Sequence, residues 1–204
     1  MPLANLHMTA MEVTHSLTAA EIDELVKVLE PSHKAIADYP SSHRARLVKP
    51  MLSYDSAALA LSFVPAGGES PPDSRTIEED EYTYHHLRRD LHASITSAGV
   101  MVGSRYVVPS AHLTVARFNT PNVFGGDPLD DGSTLDIKKR KHWINEIDMI
   151  NRWLEAEYWP EGEQLIKPGG EWIIGEEKGL DYRKGALWYG GGESIYKGIG
   201  FSPS

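Results

Sequence analysis

Leu6-His7-Met8-Thr9 and Ser110-Ala111-His112-Leu113-Thr114-Val115-Ala116-Arg117-Phe118 carry the same phrase, a histidine and a threonine two positions apart among apolar neighbours. On a β-strand, residues i and i+2 share a face. Each phrase therefore predicts a strand with one imidazole and one hydroxyl on one side and apolar partners on the other. Two such strands facing each other supply two imidazoles and two hydroxyls around one small site. That set suits acid–base chemistry on a phosphate ester and requires no metal.

Working outward, the first phrase predicts a strand over residues 5–13. Thr18-Ala19-Ala20-Glu21 is a capping box. It opens a helix with Ile22, Leu25, Val26 and Leu29 on one face, and Pro31 marks its end. Residues 47–54 and 57–63 read as two strands joined by a turn at Asp55-Ser56. Residues 65–80, rich in Gly, Pro, Ser and acid, read as a mobile loop. A helix follows over 81–98, with Leu87, Leu91 and Ile95 spaced four apart, and then the second histidine strand, 111–118. Residues 119–134 form another polar loop. An amphipathic helix over 144–158 is expected to turn Ile147, Ile150, Trp153 and Leu154 inward. Residues 171–174 and 185–201 read as closing strands. The order of elements, with one histidine phrase in each half, predicts an α+β fold of two similar antiparallel-sheet lobes with outer helices and a central cleft. The whole chain, 1–204, is expected to form that single two-lobed domain.

The totals narrow the function classes. The 204 residues, 41% hydrophobic, suffice for a real core. The chain has no cysteine, which excludes disulfides, thiolate metal sites and a cysteine nucleophile. A formal charge of -9 argues against a grip on long nucleic acid, while a small nucleotide or an RNA end remains a suitable partner. No apolar run approaches the roughly 20 residues that span a bilayer, so no membrane partner is expected. The start carries no basic n-region, and an intracellular, cytoplasmic protein is expected.

Other features carry less. His85-His86 are adjacent on a helix and do not share a face, and His92 lacks a carboxylate at ligand spacing, so no metal site and no cofactor are expected. His15, His33 and His43 fall at turns and helix ends. The run Lys138-Lys139-Arg140-Lys141 reads as a solvated face, with nuclear import or phosphate contact as the functional alternatives. Gly190-Gly191-Gly192 lacks the spacing of a dinucleotide loop. Trp143, Trp153, Trp159 and Trp172 are expected in the core or between lobes.

The paired phrases resemble the two motifs of the two-histidine (2H) phosphoesterases. That superfamily includes RNA 2',5'-ligase-like proteins and cyclic nucleotide phosphodiesterases. The resemblance runs from Asn5 through Phe118 in motif order and approximate spacing, and residues 172–201 look similar to fungal members. It implies a bilobal α+β fold and hydrolysis of 2',3'-cyclic phosphates, or of related cyclic or 2',5' phosphodiesters, without a metal. It implies that His7 and His112 are the catalytic pair and that Thr9 and Thr114 hold the phosphate oxygens. One departure is plain: family members place a strand before the first motif, which here begins six residues from the start. Either that strand is absent or the sequence begins downstream of it, and a missing strand is expected to leave a sheet edge open beside His7.

The chemistry follows from the residue types. On the cyclic phosphate that the resemblance implies, one imidazole is expected to take a proton from attacking water and the other to give one to the departing ribose oxygen; an unperturbed histidine pKa near 6.5 suits both. The threonine hydroxyls donate to non-bridging oxygens where charge develops. Arg117, three after Thr114, is expected on the opposite face of a regular strand. Tyr54, Phe63 and Tyr106 are candidate base-stacking residues by nearness to the cleft. The alternative class is a module that binds a nucleotide or an RNA end without turnover. The oligomeric state is not encoded in any pattern found.

Overall fold

Runs of β-branched and aliphatic residues, broken by short polar turns, build an antiparallel sheet. The computed structural model describes residues 2–69, 71–72, 74–104, 111–118, 137–161, 166–185 and 192–201. Its elements are α1 (Ala19–Leu29), α2 (His33–Ser42), β1 (Ala45–Tyr54), β2 (Ala58–Pro65), α3 (Tyr84–Ser97), β3 (Ala111–Arg117), α4 (Ile137–Tyr158), β4 (Glu171–Ile174), β5 (Asp181–Lys184) and β6 (Glu193–Lys197). The fold is α+β, a curled antiparallel sheet in the order β3-β2-β1-β4 with a few helices, and β5 and β6 form a separate pair. Among the described residues the two sheets are therefore unequal. No described helix is long and apolar enough to cross a membrane.

One face of the main sheet carries the core. Ala45 and Leu47 of β1, Ala111 of β3 and Ile174 of β4 meet Tyr84, Leu87 and Leu91 of α3. The four-residue spacing of Leu87, Leu91 and Ile95 keeps them on one side of α3, and all three are buried. A second cluster, Leu29, Ile95 and Val100, joins α1 to the end of α3. The Thr18 capping box forms as its sequence predicts, with the Thr18 hydroxyl accepting from Glu21 N–H and the Glu21 carboxylate accepting from Thr18 N–H.

Three elements depart from the expectations. The 5–13 segment is not a continuous strand: a 3-10 turn over Leu3–Asn5 leads to a single bridge between Met8 and Leu113. Helix α2 is extra. Pro31 does stand just past the end of α1, as expected, but in the first turn of a 3-10 link that leads straight into α2, where its missing N–H leaves no bond unmade. In α4, Ile147 and Leu154 are buried as expected, but Ile150 and Trp153 are exposed. The helix instead lies against β1, where the Asn151 amide accepts from Leu52 N–H (2.7 Å) and donates to Leu52 C=O (3.0 Å). β4 pairs only with residues 45–48 of β1, so Asn151 satisfies a strand edge that β4 leaves open.

The 65–80 region is anchored rather than loose. Arg46, fully buried on β1, donates to Asp80 (2.7 Å), Glu171 (2.7 Å) and the Glu69 carbonyl (2.7 Å). Arg75 donates to the other oxygen of Asp80 (2.7 Å) and to the Glu79 carbonyl (2.7 Å). Asp80 thus lies between two buried guanidinium groups.

The β5–β6 pair docks on α2, with Leu180 N–H donating to the Ala37 carbonyl (2.7 Å). Any side chain at Gly179 brings a Cβ within 2.3 Å of that carbonyl oxygen, so only glycine permits the approach. His33 is buried there against the Tyr182 ring (4.5 Å), and its Nε2 has no hydrogen-bond partner among the described residues. Burial holds its pKa below the ordinary value, against smaller upward pulls from Glu30 and the Val26 carbonyl. The unfolded chain then binds a proton at a higher pH than the folded one. This contribution to stability is complete above about pH 6.5 and is lost as pH falls through the lower folded value. His33→Phe is expected to flatten that part of the pH dependence of urea unfolding. An unchanged slope shows that His33 does not set it.

Candidate functional site

Strand pairing places the two histidine phrases side by side. Met8 pairs antiparallel with Leu113, which sets His7 opposite Thr114 and Thr9 opposite His112. Directly opposed residues point to one face with Cβ atoms about 4.5–5.5 Å apart. In an antiparallel register centred on that bridge, the imidazoles fall on one diagonal and the hydroxyls on the other, on a common face. Met8 packs on the core cluster behind them. Among the described residues the first phrase joins β3 through this one bridge and forms no named strand of either sheet.

The first phrase is fixed from α3. Tyr84 Oη donates to the Thr9 carbonyl (3.4 Å), and the buried Arg88 donates to the Ala10 carbonyl. His7 Nδ1 lies 2.8 Å from the Asn5 carbonyl, an acceptor only. That contact requires the proton on Nδ1 and leaves Nε2 to exchange protons with a ligand. His7, Thr9, His112 and Thr114 are all partly accessible.

β2 extends this face. Ser62 is opposite His112 and Ala60 is opposite Thr114, while Phe63 is opposite Ala111 and Leu61 opposite Leu113. Beyond β2, Met51 faces Ser62 and Ser53 faces Ala60. Ser53 reaches this face through an irregularity. Val48 pairs with Val64 and Met51 with Ser62, so β1 holds one extra residue at Lys49-Pro50. Lys49 takes a left-handed φ of 57°, and the Pro50 carbonyl accepts from Trp159 Nε1 (2.9 Å). Sequence reasoning missed Ser53 and Ser62. Pro50 inside a strand pattern was the available signal for the bulge.

A second bulge corrects the expectation for Arg117. Ala60 pairs with Thr114 but Leu59 pairs with Ala116, so Val115 is the extra residue. The alternation is offset, and Arg117 lands opposite Ala58, on the face of the histidines. No sequence signal marks this bulge.

The candidate stacking residues fare differently. Phe63 lies on the core face, edge-on to Trp172 (6.2 Å), because it alternates with Ser62. Tyr54 follows Ser53, alternates away from the histidines, and meets Trp143 of α4 edge-on (4.5 Å). The structure brings neither to the site. Tyr106 lies outside the described residues. Among the described residues, no group of three or more histidine or acidic side chains is arranged to hold a metal. Comparisons with protein-family models, with curated proteins and with solved structures find no match for this chain.

Proposed function

We propose that the chain hydrolyses 2',3'-cyclic phosphates, or related cyclic or 2',5' phosphodiesters, of nucleotides or RNA ends. The observation that carries this reading is the antiparallel Met8–Leu113 pair, which gathers His7, Thr9, His112 and Thr114 on one face. In the proposed reaction one neutral imidazole accepts a proton from water as the water oxygen bonds to phosphorus. The bond from phosphorus to one ribose oxygen breaks, and the other imidazole, protonated, gives that oxygen its proton. The product is a phosphomonoester, and proton exchange with solvent resets the pair. The threonine hydroxyls donate to the non-bridging oxygens, where charge grows. Arg117, opposite Ala58 on the same face, supplies positive charge there.

The two-lobed, pseudo-symmetric form and membership of the 2H phosphoesterases belong to this proposal. Their support is the repeated His-x-Thr phrase, whose two copies meet at the Met8–Leu113 bridge. An intracellular site of action also belongs to it, with Lys138–Lys141, exposed in the first turn of α4, as the candidate import signal. The test is hydrolysis of the four 2',3'-cyclic mononucleotides in EDTA. Turnover that disappears in the His7→Ala, His112→Ala double variant supports the reading. Saturable binding without turnover replaces it with a binding module, and neither binding nor turnover removes it.

A further inference from the structure

We infer that Ser62, braced by Ser53, is the contact for the nucleoside part of the substrate, so that sugar and base lie over β2 and β1. This rests on the proposed phosphodiesterase reading and assigns its specificity. The face around the four motif residues is lopsided. On the β3 side it continues through Ser62 and Ala60 to Met51 and Ser53. On the outer side of residues 7–9 no strand pairs among the described residues. A phosphate held between the histidines therefore has, among the described residues, the surface of β2 and β1 for its organic part.

That surface carries hydroxyls where it adjoins His112. Ser62 and Ser53 are linked Oγ to Oγ at 2.5 Å, and both are partly accessible. One proton of the pair lies in the shared bond. Among the described residues the other hydroxyl proton has no further hydrogen bond, and it suits a ligand group such as a sugar oxygen or a base edge. The Lys49-Pro50 bulge is what brings Ser53 to this face at all, and bulges recur where a site needs a side chain re-aimed. Ser62 touches the substrate directly in this assignment, and Ser53 is a positioning residue that acts through it.

The experiment compares adenosine 2',3'-cyclic phosphate with ethylene cyclic phosphate, which has the same reacting ring and no nucleoside. Ser62→Ala is expected to lower kcat/KM for the nucleotide about tenfold, as for one lost hydrogen bond to ligand, and to leave the minimal substrate unchanged. Ser53→Ala is expected to lower it less, and Ser62→Thr, which keeps a hydroxyl, to retain the preference for the nucleotide. Equal losses on both substrates make Ser62 merely structural and overturn the assignment. An unchanged nucleotide rate overturns it as well, and in that case wild-type turnover leaves the phosphodiesterase reading standing. A wild-type chain that hydrolyses neither substrate overturns both.

Discussion

Asp80→Ala is expected to lower the free energy of unfolding by about 3–5 kcal/mol, the usual cost of stripping one partner from a buried ion pair. Asp80 lies between Arg46 and Arg75 where the 66–80 region meets the sheet, and it uses one carboxylate oxygen for each. Its side chain is 1% exposed, and those of Arg46 and Arg75 are 0% and 4% exposed. Removing it leaves two guanidinium groups beside one another without water to screen them. Arg46 keeps Glu171, whose side chain is 22% exposed, and Arg75 keeps backbone carbonyls. Those contacts do not cancel the charge that Asp80 cancels. The check is a urea midpoint that falls with the m-value unchanged. Glu171→Gln is expected to cost less, because water reaches its side chain. Combining Asp80→Ala with Arg46→Met and Arg75→Met is expected to be milder than Asp80→Ala alone, since the penalty lies in the uncompensated charges. A single variant within about 1 kcal/mol of wild type, the scale of a surface ion pair, sinks this account.

That network also shows where reading the sequence stops. Residues 65–80 look like a polar loop, and nothing local says that Asp80 meets Arg46 across 34 positions. Strands β1, β2 and β3, helix α3 and the Thr18 capping box follow from local patterns, because alternation, four-residue spacing and cap chemistry act over a few residues. The motif pair is legible for the same reason, since a repeated His-x-Thr in apolar company fixes which side chains share a face. What that pattern does not encode is the partner strand. The bridge between Met8 and Leu113 is set by tertiary packing, through Met8 in the core and the hold of Tyr84 and Arg88 on Thr9 and Ala10. The bulges are the other gap. A regular β3 turns Arg117 away from the histidines and a regular β1 turns Ser53 away, and one extra residue in each strand reverses both. Pro50 hinted at the first, whereas Val115 is an ordinary strand residue. Helix α2 was hidden by Pro31, whose cost depends on its position in the turn rather than on its presence.

His7→Ala and His112→Ala are each expected to lower turnover of a 2',3'-cyclic nucleotide by roughly 10²–10⁴-fold, the usual contribution of one general acid or base. The double variant is expected to be little worse than either single one, because each imidazole needs the other's proton transfer to complete the same displacement. Thr9→Val and Thr114→Val keep shape and remove one hydroxyl donor to a charged oxygen, so each is expected to cost ~1–3 kcal/mol in the transition state. The hydrogen bond from His7 Nδ1 to the Asn5 carbonyl sharpens the reading. It occupies Nδ1, so in the proposed reaction Nε2 is the nitrogen expected to exchange the proton, whether it begins as acceptor or as donor. Requiring one imidazole neutral and the other protonated gives a bell-shaped pH–rate profile, whose two limbs belong to the pair rather than to either residue. Loss of either histidine should remove one limb as well as most of the rate, a change that a structural role for the same side chain does not produce. Two folded single variants with full activity would show that the four residues share a face for reasons other than catalysis.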